Sequence, residues 1–422
     1  MTATQPLDDA ARTAISSACA SVCDASPDDL VDGVEPGLVA LPADTDQVAE
    51  VLRAAAAHGL SVVPRGRGTK LSWGVAPSAA DVLLDLSALD RVLDHAAGDL
   101  IVAAQAGARL SDVQTVVGEA GQRLALDETV AGGSIGGILA TNASGPRRVA
   151  TGTARDLLIG ITVVRADGVV AKAGGRVVKN VAGYDLGKLL IGSFGTLAVI
   201  TDATFRLHPV PAASTWVSCS VRDPAEAQQV VQSVLHSHAV PAAIEIGWTA
   251  DDEGSAHVLL EGRVDGVAGR AATVRELLGH GATESADPPV GGATYPWDVA
   301  ATGDDRATAL KLTFALSGLT QVLVGVRDCG VPMELRGSAG SGVAYAAIAP
   351  GTSVDVVVAA VAGVREACVR AGGTTVVVDA PAAVKAAVDA WGTVSAIDLM
   401  RRVKDQFDPE RRLAPGRFVG GI

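Results

Sequence analysis

RGRGTKLSWG (65–74), AGGSIGGILATNASG (131–145) and KNVAGYDLGKLLIGSFGTLAVIT (179–201) together decide how this chain folds. The first follows LSVVP (60–64), a short apolar run that reads as a buried strand. Closely spaced glycines after such a strand let successive backbone N–H groups turn toward one point, a concave nest for phosphate oxygens. Arg65, Arg67 and Lys70 add charge there, and Thr69 a hydroxyl. In the second segment, Gly132, Gly133, Ser134, Ile135, Gly136 and Gly137 open a helix whose small residues allow backbone to approach a pyrophosphate. In the third, VAGYDLGKLLIGS reads as a short helix feeding a strand through Gly192-Ser193-Phe194-Gly195. Each segment alone leaves tight packing of helix on sheet open as the lesser reading. All three between Arg65 and Thr201 point to a flat, phosphate-bearing ligand.

The surroundings alternate between helix and strand. DTDQVAEVLRAAAAHG (44–59) has helical spacing, with Asp44 to cap it and Gly59 to stop it. DVLLDL (81–86) and LIVAAQAG (100–107) read as strands, and ARLSDVQTVVGEAG (108–121) as an amphipathic helix. DLLIGITVVRADGVVAKAG (156–174) reads as two strands turning at Asp167-Gly168. TLAVITDATFRLHP (196–209) reads as a long strand stopped by Pro209. From about 214 to 395 the texture changes to apolar strands and Ala-rich helices without paired glycines, broken by a turn-rich stretch near 281–296. The expected organisation is an N-terminal helical segment (1–35), a ligand-binding domain (36–211), a second domain (212–395) and a basic tail (396–422).

Composition narrows the function. Of 422 residues, 48% are apolar and 19% charged, which describes a folded, soluble protein. The net charge of −13 argues against nucleic acid or an anionic membrane as a general partner. Residues 1–50 hold ten acidic side chains against Arg12 alone, whereas 142–188 hold eight basic against three acidic, a local bias suited to a phosphorylated small molecule or to a solvated basic face. The glycine segments fit neither the dinucleotide pattern G-x-G-x-x-G nor a Walker loop, since GYDLGKL (183–189) is one residue short and lacks Ser or Thr after the lysine. Five scattered cysteines form no disulfide framework and point to a cytoplasmic setting. Cys19 and Cys23, four apart, read as buried core residues. The start of the chain lacks the pattern of a secretory signal, and no apolar run is long enough to span a membrane. His236 and His238 lack the further ligands a metal site needs, so no metal is assigned.

Order and spacing across 36–211 resemble the FAD-binding domain shared by vanillyl-alcohol oxidase and p-cresol methylhydroxylase. GPRRVATGTARDLLIG (145–160) and GGRVVKNVAGYDLGKLLIGSFGTLAVIT (174–201) resemble the FAD-binding subunit of bacterial glycolate oxidase, and the tail FDPERRLAPGRF (407–418) is similar to the C-terminus of the wider group. The resemblance implies an α+β fold: a two-subdomain FAD-binding domain plus a smaller α/β cap domain, with FAD in the cleft between the subdomains. It places the pyrophosphate loop on Arg65, Gly66, Arg67, Gly68 and Thr69. It places further phosphate and ribityl contacts on Ser134, Ile135, Gly136 and Gly137, with Asn142 and Gly145 nearby, and a ligand-side strand on Gly195 to Ile200. Many relatives attach FAD through a histidine of the first loop; RGRGTKLSWG has none, so the expected FAD is noncovalent. Hydroxyacid-oxidising relatives also carry H-x-G-D-G-N-x-H in the second domain, whereas the corresponding ELRGSAGSGVAYAAI (334–348) has neither His nor Asp.

The reading that follows is the FAD-binding subunit of a glycolate oxidase-like 2-hydroxyacid dehydrogenase complex. Its expected partners are a catalytic FAD subunit and an iron–sulfur subunit, placed in the cytoplasm or at the membrane through those partners. A stand-alone FAD oxidase or dehydrogenase of a small alcohol or hydroxyacid, and a non-catalytic scaffold with a degenerate flavin domain, stay open. No catalytic residue is assigned. Tyr184 and Asp185 sit beside the third glycine segment, and Arg336 could hold a carboxylate, against the plainer readings of a helix cap and a surface ion pair.

Overall fold

The structure, a computed structural model, describes residues 7–176, 185–279 and 281–422. Its N-terminal part holds two main sheets. In the first, Leu38–Leu41, Val82–Asp85 and Val62–Arg65 run parallel, and Ser21–Cys23 adds an antiparallel edge. The parallel strands are apolar on both faces because helix Thr45–Ala57 crosses over between two of them. That helix starts at Asp44, which accepts a hydrogen bond from the Gln47 amide at 2.8 Å, and it buries Val48, Val51 and Leu52. The first 35 residues thus supply an edge strand as well as helix Asp9–Ala18. Cys19 caps that helix and Cys23 lies exposed in the strand, so this pair is not the buried pair its spacing suggested.

The second sheet is antiparallel, in the order Val92–Ala96, Ile101–Gln105, Val199–Arg206, Leu158–Val164, Val170–Gly174. Its last two strands turn at Asp167-Gly168, as read from the sequence. Helices Leu110–Gly118 and Ile135–Thr141 share its core. The long strand ends at Arg206, short of Pro209: the Leu207 amide donates to the Leu100 carbonyl, and His208–Pro209 then pairs with Gln122–Arg123. Of the helix expected in VAGYDLGKLLIGS, one turn is present, Gly187–Leu190; residues 177–184, including Tyr184, lie outside the described residues.

Residues 213–379 form an eight-stranded sheet in the order Thr283–Ser285, Ala213–Val221, Gly254–Gly262, Ala243–Trp248, Met333–Ser338, Val343–Ile348, Thr308–Thr313, Thr375–Asp379. Every neighbouring pair is antiparallel. Side chains alternate across such strands. Leu310, Leu312, Leu335, Ala344 and Ala346 share the core with helices Pro224–Leu235, Val264–Leu278, Leu319–Arg327 and Val354–Arg370. The opposite face carries Lys311, Tyr345 and Arg336, which are cross-strand partners, and meets the N-terminal part.

Buried charges join the two parts. Asp32 binds Arg306 and Lys385, each at 2.8 Å, and both cations also bind Asp379. Elsewhere Arg123 and Arg147 converge on Glu261, with Arg147 also on Asp127. After helix Ile397–Phe407, the chain returns to the first sheet, where Leu413 bridges to Val62.

Candidate functional site

Strand Val62–Arg65 ends at the mouth of a cleft lying between the two N-terminal sheets. The loop after it supplies one wall. The amides of Gly66, Arg67, Gly68, Thr69 and Lys70 donate to no acceptor among the described residues, so five N–H groups are free to bind anionic oxygens. Gly68 holds the loop at φ +73°, a conformation that side chains disfavour. A Cβ on Gly66 would collide with the Ser134 hydroxyl, so loop and helix meet where nothing larger than glycine fits. The far wall is Gly195, at φ +74° against Pro64, followed by Ala198 and Ile200.

The charges in this cleft differ from the sequence reading. The Arg65 guanidinium is taken by Asp85 and Asp29, both at 2.6 Å, which pull its pKa upward against burial. Arg67 donates to the Gly107 carbonyl at 3.0 Å and lies 3.5 Å from Asp90. Both arginines brace the loop. The cations that line the cleft without an ion-pair partner, among the described residues, are Lys70 and Arg417. Burial lowers Lys70 to about 8, with Glu128 acting weakly against it, and lowers Arg417 to about 10. Two buried cations beside five free amides make a site for a polyanion such as a pyrophosphate. Arg417 also donates to the carbonyls of Leu71 and Trp73 at 2.6 and 2.8 Å, so the tail fastens the loop from behind. Its place in LAPGRF gave a sequence reading no reason to connect it with the first loop, because its contact with Leu71 spans 346 residues.

The structure gathers most of the expected site. Arg65, Gly66, Arg67, Gly68, Thr69, Ser134, Gly136, Gly137, Gly195 and Ile200 line the cleft; Ile135, Asn142 and Gly145 do not. Ile135 is fully buried in the core beneath. Asn142 ends helix Ile135–Thr141 in a left-handed conformation. Gly145 packs on Asp127 and lines a different cavity. The helix start also differs from expectation. The Ile135 and Gly136 amides donate to the carbonyls of Ala108 and Ala106, at 2.9 and 2.7 Å, and the Gly137 amide donates to Ser134 Oγ. This end therefore offers spent amides, and Gly136 is small because Ala106 leaves a Cβ no room.

The second cavity opens where the eight-stranded sheet faces the N-terminal part. An aromatic block stands between the two: Trp73, beside Lys70, packs edge-on against Tyr295 at 5.3 Å, and Tyr295 stacks on Trp297 and contacts Tyr345, each at 4.7 Å. Arg336 lies in this second cavity and makes no ion pair among the described residues, so it is not the surface pair that the plainer reading favoured. Asp185 lies just before helix Gly187–Leu190, whose N-cap is Leu186; its carboxylate accepts from the Lys188 amide at 3.3 Å and pairs with the Lys188 ammonium at 3.2 Å. Segment 334–348 forms two paired strands, and no cluster of three or more His, Cys, Asp or Glu able to hold a metal occurs among the described residues.

Comparison with known proteins agrees with this geometry. The FAD binding domain family matches residues 36–174, and the C-terminal domain of FAD linked oxidases matches 384–418. A glycolate oxidase subunit of Bacillus subtilis is 31% identical over 211 residues, 50% of this chain and 45% of that protein. A D-lactate dehydrogenase of Archaeoglobus fulgidus is 31% identical over 256 residues, 57% of each. The chain thus spans about half the length of the curated relatives it matches. Among solved structures, a xylooligosaccharide oxidase from Myceliophthora thermophila superposes with a TM-score of 0.70 at 16% identity, covering 96% of this chain and 97% of that one. The fold is the α+β arrangement of vanillyl-alcohol oxidase-type flavoproteins.

Proposed function

We propose that this chain, which carries the FAD binding domain and the C-terminal domain of FAD linked oxidases, is the noncovalent FAD-binding component of a 2-hydroxyacid dehydrogenase of the glycolate oxidase kind. The observation that carries the proposal is the cleft: free amides at 66–70 and two unpaired buried cations, Lys70 and Arg417, on the residues the family match covers. Bound FAD would supply the hydride acceptor for oxidation at the substrate's α-carbon. The protein's part is to hold it. Lys70, Arg417 and the loop amides neutralise the pyrophosphate, and Gly66, Gly68 and Gly195 let backbone close around it. No His or Cys lines the cleft among the described residues, which supports noncovalent attachment.

The Bacillus relative is a glycolate oxidase subunit by name, which supports a subunit role; the catalytic flavoprotein and iron–sulfur protein proposed as partners rest on the family resemblance. The five cysteines are free and dispersed, so a cluster would belong to another chain. The second cavity supports the other arrangement, in which this chain binds the hydroxyacid itself.

An absorbance spectrum before and after acid precipitation, then anaerobic addition of glycolate and D-lactate, tests the proposal. Flavin in the supernatant is the expected result. Bleaching by either acid assigns the oxidation to this chain; bleaching only with a partner present assigns it an accessory role. A chain that neither carries nor takes up FAD refutes the proposal.

A further inference from the structure

The face of the eight-stranded sheet turned away from its helices carries polar side chains where alternation puts them. Glu245 pairs with Ser338 across one strand boundary, and Arg336 with Tyr345 across the next. Opposite them stands Arg148, from the short helix Arg148–Thr151 of the N-terminal part. Its Nε donates to the Gly145 carbonyl at 3.1 Å, and its Nη2 lies 3.4 Å from the Tyr345 hydroxyl. Neither Arg148 nor Arg336 forms an ion pair among the described residues, although nearby arginines do: Arg147 holds Asp127 and Glu261. Two guanidinium groups left without a carboxylate, facing one cavity from two folding units, are unusual in an acidic protein.

The remaining groups point the same way. The one acid in the cavity, Glu245, is held neutral at pH 7 because burial raises its pKa to about 8, and its Oε1 is buried without a hydrogen-bond partner, as are Ser338 Oγ and Tyr295 Oη. Burial works against ionising Tyr345, yet the charges of Arg148 and Lys311 bring its phenol below its ordinary value. The cavity is therefore cationic and rich in hydroxyl groups. Gly292 lines it, and its neighbour Gly291 presses directly on the Arg336 guanidinium, which a side chain there would displace.

We infer that Arg148 and Arg336 form a clamp for the carboxylate of a small 2-hydroxy or 2-oxo acid, one arginine from each part of the chain, with the hydroxyls of Tyr345 and Ser338 beside it. This rests on the hydroxyacid reading above and names the residues that would select the acid. A planar carboxylate between two guanidinium groups accepts paired charge-assisted hydrogen bonds, which an alcohol or amide of the same size cannot match.

Equilibrium dialysis of labelled oxalate against the purified full-length chain, loaded with and stripped of FAD, tests the clamp. Oxalate has no α-hydrogen, so binding is read without turnover. The wild-type chain is expected to bind it saturably and to ignore oxamide. Arg336→Gln and Arg148→Gln are each expected to weaken binding at least tenfold, with Arg336→Lys in between and the exposed Arg222→Gln unchanged. Wild-type chain that does not bind oxalate, or undiminished binding in Arg336→Gln and Arg148→Gln, overturns the clamp. Should Arg336→Gln fail to fold by circular dichroism, Arg336→Lys and Arg148→Gln carry the test. Arginine-dependent oxalate binding in a chain that glycolate and D-lactate never bleach upholds the clamp while refuting oxidation by this chain.

Discussion

Lys70 is held by burial at a pKa of about 8, below the 10.5 of an exposed lysine. Between these values the unfolded chain binds more protons than the folded one, so the apoprotein gains stability as pH rises through this window. Lys70→Met should abolish that gain, read from denaturant midpoints at pH 8 and 10.5 for both proteins. It should also weaken FAD binding, since the charge facing the pyrophosphate is gone. Gly137 gives a second test at this scale. A Cβ there meets only Ser134 Oγ at 3.1 Å and otherwise enters the cleft, so Gly137→Val should lose flavin absorbance while keeping its circular dichroism. The same change at Gly136 would instead strike Ala106 and disturb the fold itself. Sequence spacing brought residues 65–69 to one cleft wall but gave no sign of how the charges there are engaged. Arg65, read as a ligand contact, is ion-paired with Asp29 and Asp85, partners that reach it only after folding.

Among the elements, helix Thr45–Ala57 and the hairpin at Asp167-Gly168 were legible because their signals are local: a cap, a period, a turn pair. The start of helix Ile135–Thr141 was misread because its amides are consumed by Ala106 and Ala108, about thirty residues earlier and adjacent only in space. The tail helix Ile397–Phe407 was equally opaque. Its Lys404 is fully buried, donating to Asp408 at 2.7 Å and to the carbonyls of Thr196 and Leu413 at 2.6 and 3.0 Å. Asp408 in turn accepts from the amides of Arg412 and Leu413. Asp408→Ala would leave Lys404 charged and unpaired in the core, at a cost of about 3–5 kcal/mol by analogy with other broken buried pairs. Urea unfolding should show this loss, and because the tail positions Arg417, flavin should dissociate at lower urea than in the wild type.

At the scale of the molecule, the sheet face and the N-terminal part are joined by charge as much as by apolar contact. Burial would raise the Glu261 pKa, but Arg123 and Arg147 hold it below the usual 4.5. Its stabilising contribution is complete above that value and is lost as pH falls through the lowered one. Glu261→Gln should remove this acid-dependent part of stability and loosen the joint, so that melting between pH 3 and 6 depends less on pH than in the wild type and separates into two transitions. No sequence pattern marks such a joint, because Glu261 lies 138 residues from Arg123 and 114 from Arg147. The tail has a consequence for assembly in time. Arg417 braces a loop made 346 residues before it, so a nascent chain displays RGRGTK long before the residue that holds it in shape has been made. At 5–20 residues per second, roughly 20–70 s of synthesis separates the two. The cleft therefore matures late, and a ribosome stalled short of the tail would carry a chain whose early domain is folded but, on the proposed reading, empty-handed.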